Sequence, residues 1–158
     1  DPSAIVKRYR AEQGTEVVDA IFDELSADDR LLTSSLSLLE VAAALRRQSA
    51  GGALASTTLV SIVQRYAADM SHRVALWPVD ARVLRAGLTV VSRHALRAAD
   101  ALHLATAELL APLSAPTLFC IVSSDRELLT AAQGSGLRTL DPTQGGALAE
   151  LRLMRSTP

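Results

Sequence analysis

A chain of 158 residues is long enough to bury a real core and short enough to read as one domain. Its net charge of −1 excludes a generally basic nucleic-acid binder, so any nucleic-acid site has to be a local patch. Few residues are aromatic, so Leu, Ala and Val must build the core, and a single cysteine, Cys120, excludes an intramolecular disulfide.

Residues 3–10 carry a short helical pattern, and Val17, Val18, Ile21, Phe22 and Leu25 repeat at helical spacing. Leu31 to Ser34 is a strand candidate, followed by a helix from about Ser37 to Gln48. Gly51-Gly52 breaks the chain, and a longer helix then carries Leu59, Ile62, Val63, Tyr66 and Met70. Val74 to Trp77 is a strand stopped by Pro78. Asp80 is placed to cap the next helix, through about Ser92. Ala98 to Ala111 is helical, Thr117 to Val122 is the clearest buried strand, and a helix follows Asp125. Leu137 to Leu140 makes the last strand, ended by Asp141-Pro142. Strands separated by helices imply a parallel α/β sheet. Residues 1–142 read as the domain and 143–158 as a C-terminal tail, with one helical turn around Ala147 to Met154.

Four carboxylates stand where carboxylates are hard to explain structurally. Glu40 interrupts SLSLLEVAAAL, Asp100 interrupts LRAADALHLATAELL, Asp125 follows the apolar run TLFCIV, and Asp1 opens the first helix. In a parallel α/β sheet, ligands bind where strands end and helices begin, so all four can converge at one edge. Burying several carboxylates together is costly unless a cation joins them. Each has a plain structural reading as well. Asp1-Pro2 is a good N-cap with proline at the first helical position, and Asp125 or Ser124 can cap the helix behind it. Glu40 can pair with Arg47. Asp100 has no obvious partner except His103, one turn on. Only the set of four favours a metal pocket. Mg²⁺ or Mn²⁺ suits such oxygen ligands, which makes the chain a candidate phosphodiester-cleaving enzyme.

Fifteen of the sixteen basic residues are Arg, and Lys7 is the exception. Arg46, Arg47, Arg93 and Arg97 are candidate RNA phosphate contacts, with solvated surface an equal reading for each. His72, His94 and His103 show no zinc spacing, and Cys120 reads as a small core residue. The lone cysteine and the lack of a signal-like or membrane-length apolar run lead to the expectation of a soluble cytoplasmic protein with no membrane partner.

At these blocks the chain resembles the PIN-domain ribonucleases, specifically the VapC-type toxins of type II toxin–antitoxin pairs. DPSAIVKRY resembles the family's opening, SSLSLLEVAAALRR its second acidic block, LRAADALHLATAELL its third, and VSSDRELLTAAQGSGLRTLDP its fourth. The resemblance implies an α/β, PIN-like three-layer domain with a short central parallel sheet flanked by helices. It implies an Mg²⁺- or Mn²⁺-dependent ribonuclease with Asp1, Glu40, Asp100 and Asp125 as catalytic acids. Asp1, Asp100 and Asp125 would be metal ligands, with Glu40 holding a metal water or acting as base, and Ser3 and Ser123 in support. It also implies an RNA substrate, a VapB-type antitoxin, and a homodimer or heteromeric complex, with the helices of residues 14–26 and 54–72 as contact surfaces.

The family pattern places a few apolar residues, forming a central strand, ahead of its first Asp; this sequence opens on Asp1. Pro2 stands where the family has a small polar residue. Two other readings compete. A phospho-accepting receiver-like domain needs a late Lys, which is lacking. A catalytically degenerate PIN-like domain would only bind partners, and retention of all four acids disfavours it.

Overall fold

Apolar residues at helical spacing bury one face of each main helix, and these faces meet around short parallel strands. The computed structural model describes all residues except 53, 54, 116, 157 and 158, together with the side chain of Ser56. Helices α1 (Pro2–Ile5), α2 (Thr15–Asp23), α3 (Ser37–Ala50), α4 (Ser56–His72), α5 (Ala81–Arg93), α6 (Ala98–Ser114), α7 (Arg126–Gly134) and α8 (Ala147–Ser156) alternate with strands β1 (Leu31–Ser34), β2 (Val74–Trp77), β3 (Cys120–Val122) and β4 (Arg138–Leu140). Leu54, where the second contact helix was expected to begin, lies outside the described residues.

Strand β1 pairs with β2 in parallel, Leu31 opposite Val74 and Ser34 opposite Trp77. Strand β3 pairs with β4 in parallel, Cys120 opposite Arg138 and Val122 opposite Leu140. Parallel neighbours need a long crossover, and helices α3–α4 and α7 supply the two required here. The expected parallel strands are therefore present, but they form two separate pairs among the described residues. A groove of about 600 Å³ is lined by both β1 and β3, with Ile21, Phe22, Leu110 and Met154 among its apolar walls. Asp1 and Val122 line it too, with the Asp1 backbone nitrogen 3.2 Å from the Val122 carbonyl oxygen.

Several element boundaries differ from the expectation. The first helix starts at Pro2 under its Asp1 cap, but past Ile5 it tightens into a 3₁₀ turn over Val6–Arg8; α2 ends at Asp23 rather than at residue 26, and α6 runs to Ser114 rather than Ala111. The strand expected over 117–122 keeps only Cys120–Val122, because its partner β4 is itself three residues long and Leu118 is exposed. Leu137 drops out of β4 because its N–H bonds the Ala132 carbonyl and so closes the turn after α7.

One hydrophobic cluster joins α1, α2, α3 and α4 to Val74, Leu140 and α8; a second joins α5, α6 and α7 to Ile121. Gly87 lets α5 approach α6, since a Cβ there would lie 3.2 Å from Leu102 Cδ2. Where a single helical turn was expected, α8 forms a full helix. It buries Ala147, Leu151 and Met154, and Arg155 donates to the Ala20 and Ile21 carbonyls near the end of α2.

Candidate active site

Asp1 and Asp125 are joined through serines. Asp1 Oδ2 accepts from Ser3 N at 3.0 Å, Ser3 Oγ at 2.6 Å and Ser123 Oγ at 3.1 Å. Ser123 Oγ in turn accepts from Asp125 N at 3.0 Å, and Ser3 Oγ accepts from Ser124 N at 2.9 Å. Residues more than 120 positions apart thus form one hydrogen-bonded unit, and Ser123 within it is fully buried. Both aspartates also serve as helix caps: Asp1 for α1, and Asp125 for α7 through Oδ1 and Leu128 N at 3.0 Å. Capping uses one oxygen of each carboxylate. The other oxygen, Asp1 Oδ1 or Asp125 Oδ2, makes no hydrogen bond among the described residues.

Asp100 lies in the first turn of α6 and Glu40 in the first turn of α3. Both are partly buried. Burial raises the pKa of Asp100, and the charges of Asp125, Glu40 and Glu127 push it the same way against the relief given by Arg97. Burial likewise raises Glu40. These are the signs of carboxylates that repel one another in a poorly solvated place. Glu127, in the first turn of α7, adds to this field.

His103 does not serve Asp100. Its Nε2 lies 2.7 Å from Glu40 Oε2, bridging α6 and α3. Burial lowers the imidazole pKa to about 3, which favours the neutral ring. A neutral imidazole facing an ionised Glu40 donates through its Nε2–H. Glu40 therefore pairs with His103 rather than Arg47. Nothing in local spacing announces a contact across 63 positions.

Among the described residues no three His, Cys, Asp or Glu side chains come together closely enough to hold one ion. The donor set nonetheless suits a hard cation. It consists of oxygens, each carboxylate keeps an oxygen outside any hydrogen bond among the described residues, and two of the four carry raised pKa values. Beside Asp125, Ser124 Oγ is buried with no hydrogen-bond partner among the described residues.

The candidate arginines differ in their surroundings. Arg97 precedes α6, is exposed, and eases the ionisation of Asp100. Arg46 and Arg47 are exposed near the end of α3. Arg93 holds both carboxylate oxygens of Glu108, at 2.8 and 2.7 Å.

The alternation of strands and helices and the acids at element starts define a PIN domain, and the chain belongs to that family: residues 1–132 match it. Over 147 residues the chain is 29% identical to Ribonuclease VapC35 of Mycobacterium tuberculosis strain CDC 1551 / Oshkosh. The same similarity holds for Ribonuclease VapC35 of strain ATCC 25618 / H37Rv, and the match covers 91% of this chain and 96% of that relative.

Proposed function

We propose that the protein is the toxin of a type II toxin–antitoxin pair, an Mg²⁺- or Mn²⁺-dependent endoribonuclease of the VapC type. The observation that supports this most is the serine-linked pair Asp1–Asp125, with Asp100 and Glu40 at the starts of α6 and α3. Asp1, Asp100 and Asp125 would hold the ion between them, one or two directly and the rest through its waters. Mg²⁺ commonly binds through one or two carboxylates and retains waters, which accords with carboxylates that do not close around a single point. When bound, the ion would polarise the scissile phosphate and acidify the attacking water.

The remaining work belongs to the chain. Ser3 and Ser123 fix the Asp1 carboxylate so that its second oxygen stays available. Glu40, raised by burial, is suited to take the proton lost by the attacking water. Arg97 and the Arg46–Arg47 pair offer phosphate contacts that carry no sequence information. Arg93 would first have to leave Glu108.

RNA incubated with Mn²⁺ or Mg²⁺ should be cut, with EDTA and with Asp100→Asn abolishing the cut, and either ion should raise the melting temperature. RNA left intact in both ions refutes the reading. A binding-only domain has no need of four acids with uncommitted oxygens. A receiver-like phospho-acceptor lacks its lysine, because Lys7 is paired with Glu12 at 3.0 Å.

An acidic site suits inhibition by an Arg or Lys of a VapB-type antitoxin, in a complex built on a toxin homodimer or on toxin and antitoxin together. The antitoxin peptide should bind more weakly as Mn²⁺ is raised. We place the nuclease unit in residues 1–142, with α8 packed on α2 as an addition to it. No helix among the described residues is long and apolar enough to cross a membrane, and we propose that the protein acts on RNA in the cytoplasm.

A further inference from the structure

We infer that His103 is a positioning residue for Glu40, fixing the Glu40 carboxylate so that one oxygen faces the acidic site. The inference rests on the nuclease reading and adds a residue to it.

The geometry is specific. Helix α6 carries Asp100 in its first turn and, one turn later, presents His103, whose side chain is 7% exposed. Its Nε2 reaches Glu40 Oε2 at 2.7 Å, while Glu40 itself remains 32% exposed. The donor is thus fixed by packing and the acceptor reaches toward solvent. A glutamate has three rotatable bonds, and an unheld one samples many positions. One hydrogen bond from a rigid buried ring narrows that range and occupies a single oxygen. Oε1 makes no hydrogen bond among the described residues and is left for a water or a proton.

The same contact also sets two acids relative to each other. Asp100 and His103 share one rigid helix, so the bond to Glu40 ties the starts of α3 and α6 together. His103 thus stands one turn from Asp100 on α6 and in direct contact with Glu40.

A purely structural role predicts that activity follows stability. A positioning role predicts a loss of kcat at nearly constant KM and constant melting temperature. His103→Gln keeps an N–H donor of similar reach, His103→Leu removes it, and His103→Asn keeps a donor too short to reach Glu40. We expect His103→Leu to lower kcat by about tenfold to a hundredfold, the usual effect of removing a supporting partner, with His103→Gln recovering most of it. In a Glu40→Gln background, His103→Leu should cost little further. If His103→Leu does not fold, His103→Gln against His103→Asn makes the same comparison.

¹⁵N NMR of the metal-free protein should show His103 as the Nε2–H tautomer, with its ring signals shifted by Glu40→Gln. Wild-type kcat in folded His103→Leu or His103→Asn overturns the inference, as does a kcat loss that merely tracks melting temperature. Unshifted ring signals in Glu40→Gln overturn it independently of any cleavage assay. Wild-type protein that leaves RNA intact with Mn²⁺ overturns the nuclease reading, and this inference with it.

Discussion

Arg8 Nε lies 2.9 Å from Asp69 Oδ2, and both side chains are almost wholly withdrawn from water. The same guanidinium reaches Asp19 and Asp23 and stacks 4.5 Å from the centre of the Phe22 ring. Burial opposes the Arg8 charge, but Asp23 and Asp69 outweigh it and hold the pKa above its ordinary value. Asp69→Ala would leave Arg8 paired with Asp19 and Asp23 but strip the acceptor from both Arg8 Nε and the Tyr9 hydroxyl, and should cost roughly 2–3 kcal/mol. Tyr9→Phe removes only the 2.9 Å hydrogen bond to Asp69 and should cost about 1 kcal/mol. Urea titration separates the two, and equal losses would contradict this account.

Gly14→Ala should destabilise the protein without touching the acids. Gly14 has φ +90°, and a Cβ there would lie 2.6 Å from the Pro142 carbonyl oxygen. Left-handed backbone alone costs a non-glycine residue about 1–2 kcal/mol, and the clash with backbone adds to it. Thermal unfolding of the variant near the wild-type temperature would show that α2 shifts freely.

The carboxylates should imprint a pH dependence on the metal-free protein. Asp100 and Glu40 are raised in the fold, chiefly by burial, so the native state binds more protons than the unfolded chain. The contribution of these two acids should then fall as pH rises from the ordinary carboxylate range, near 4, through the raised values, against the opposite slope from His103, Asp23 and Asp141, whose pKa values the fold lowers, so the difference between wild type and Asp100→Asn isolates it. Asp100→Asn should flatten part of this slope, and a divalent ion should reverse it. Melting temperatures in EDTA from pH 4 to pH 7 test the sign; a wild-type curve parallel to that of Asp100→Asn would contradict it.

Capping and catalysis can be separated at Asp125. Asparagine caps nearly as well as aspartate but carries no charge. Asp125→Asn should therefore keep its melting temperature and lose RNA cleavage, while Asp125→Ala should lose both, with about 1 kcal/mol of stability. Asp80→Ala provides the converse: it removes the cap on Arg82 N and Val83 N at the start of α5 and should cost similar stability with cleavage unchanged. Full cleavage by Asp125→Asn would reduce Asp125 to a cap.

Helix positions were readable because burial repeats with the helical period, as Val83, Gly87 and Val90 do along α5. The same helix shows where that reading stops: Leu84, Leu88 and Val91 are apolar yet exposed, and no periodicity distinguishes a surface left open from a core. Strand ends were less legible, since Thr117 and Leu118 lack only a partner, and pairing is a long-range property. The acids at the starts of α1, α3, α6 and α7 stood out because each interrupts or borders an apolar run. Their connections did not. The Ser3–Ser123 contact and the His103–Glu40 bond join segments far apart in the chain, and composition carries no trace of them.

The serine-linked unit has a consequence for solvent exchange. The Ser124 and Asp125 amides lie outside any strand or helix, yet they donate to Ser3 Oγ and Ser123 Oγ, and Ser123 is fully buried. Deuterium uptake at these two loop amides should be as slow as in the body of a helix.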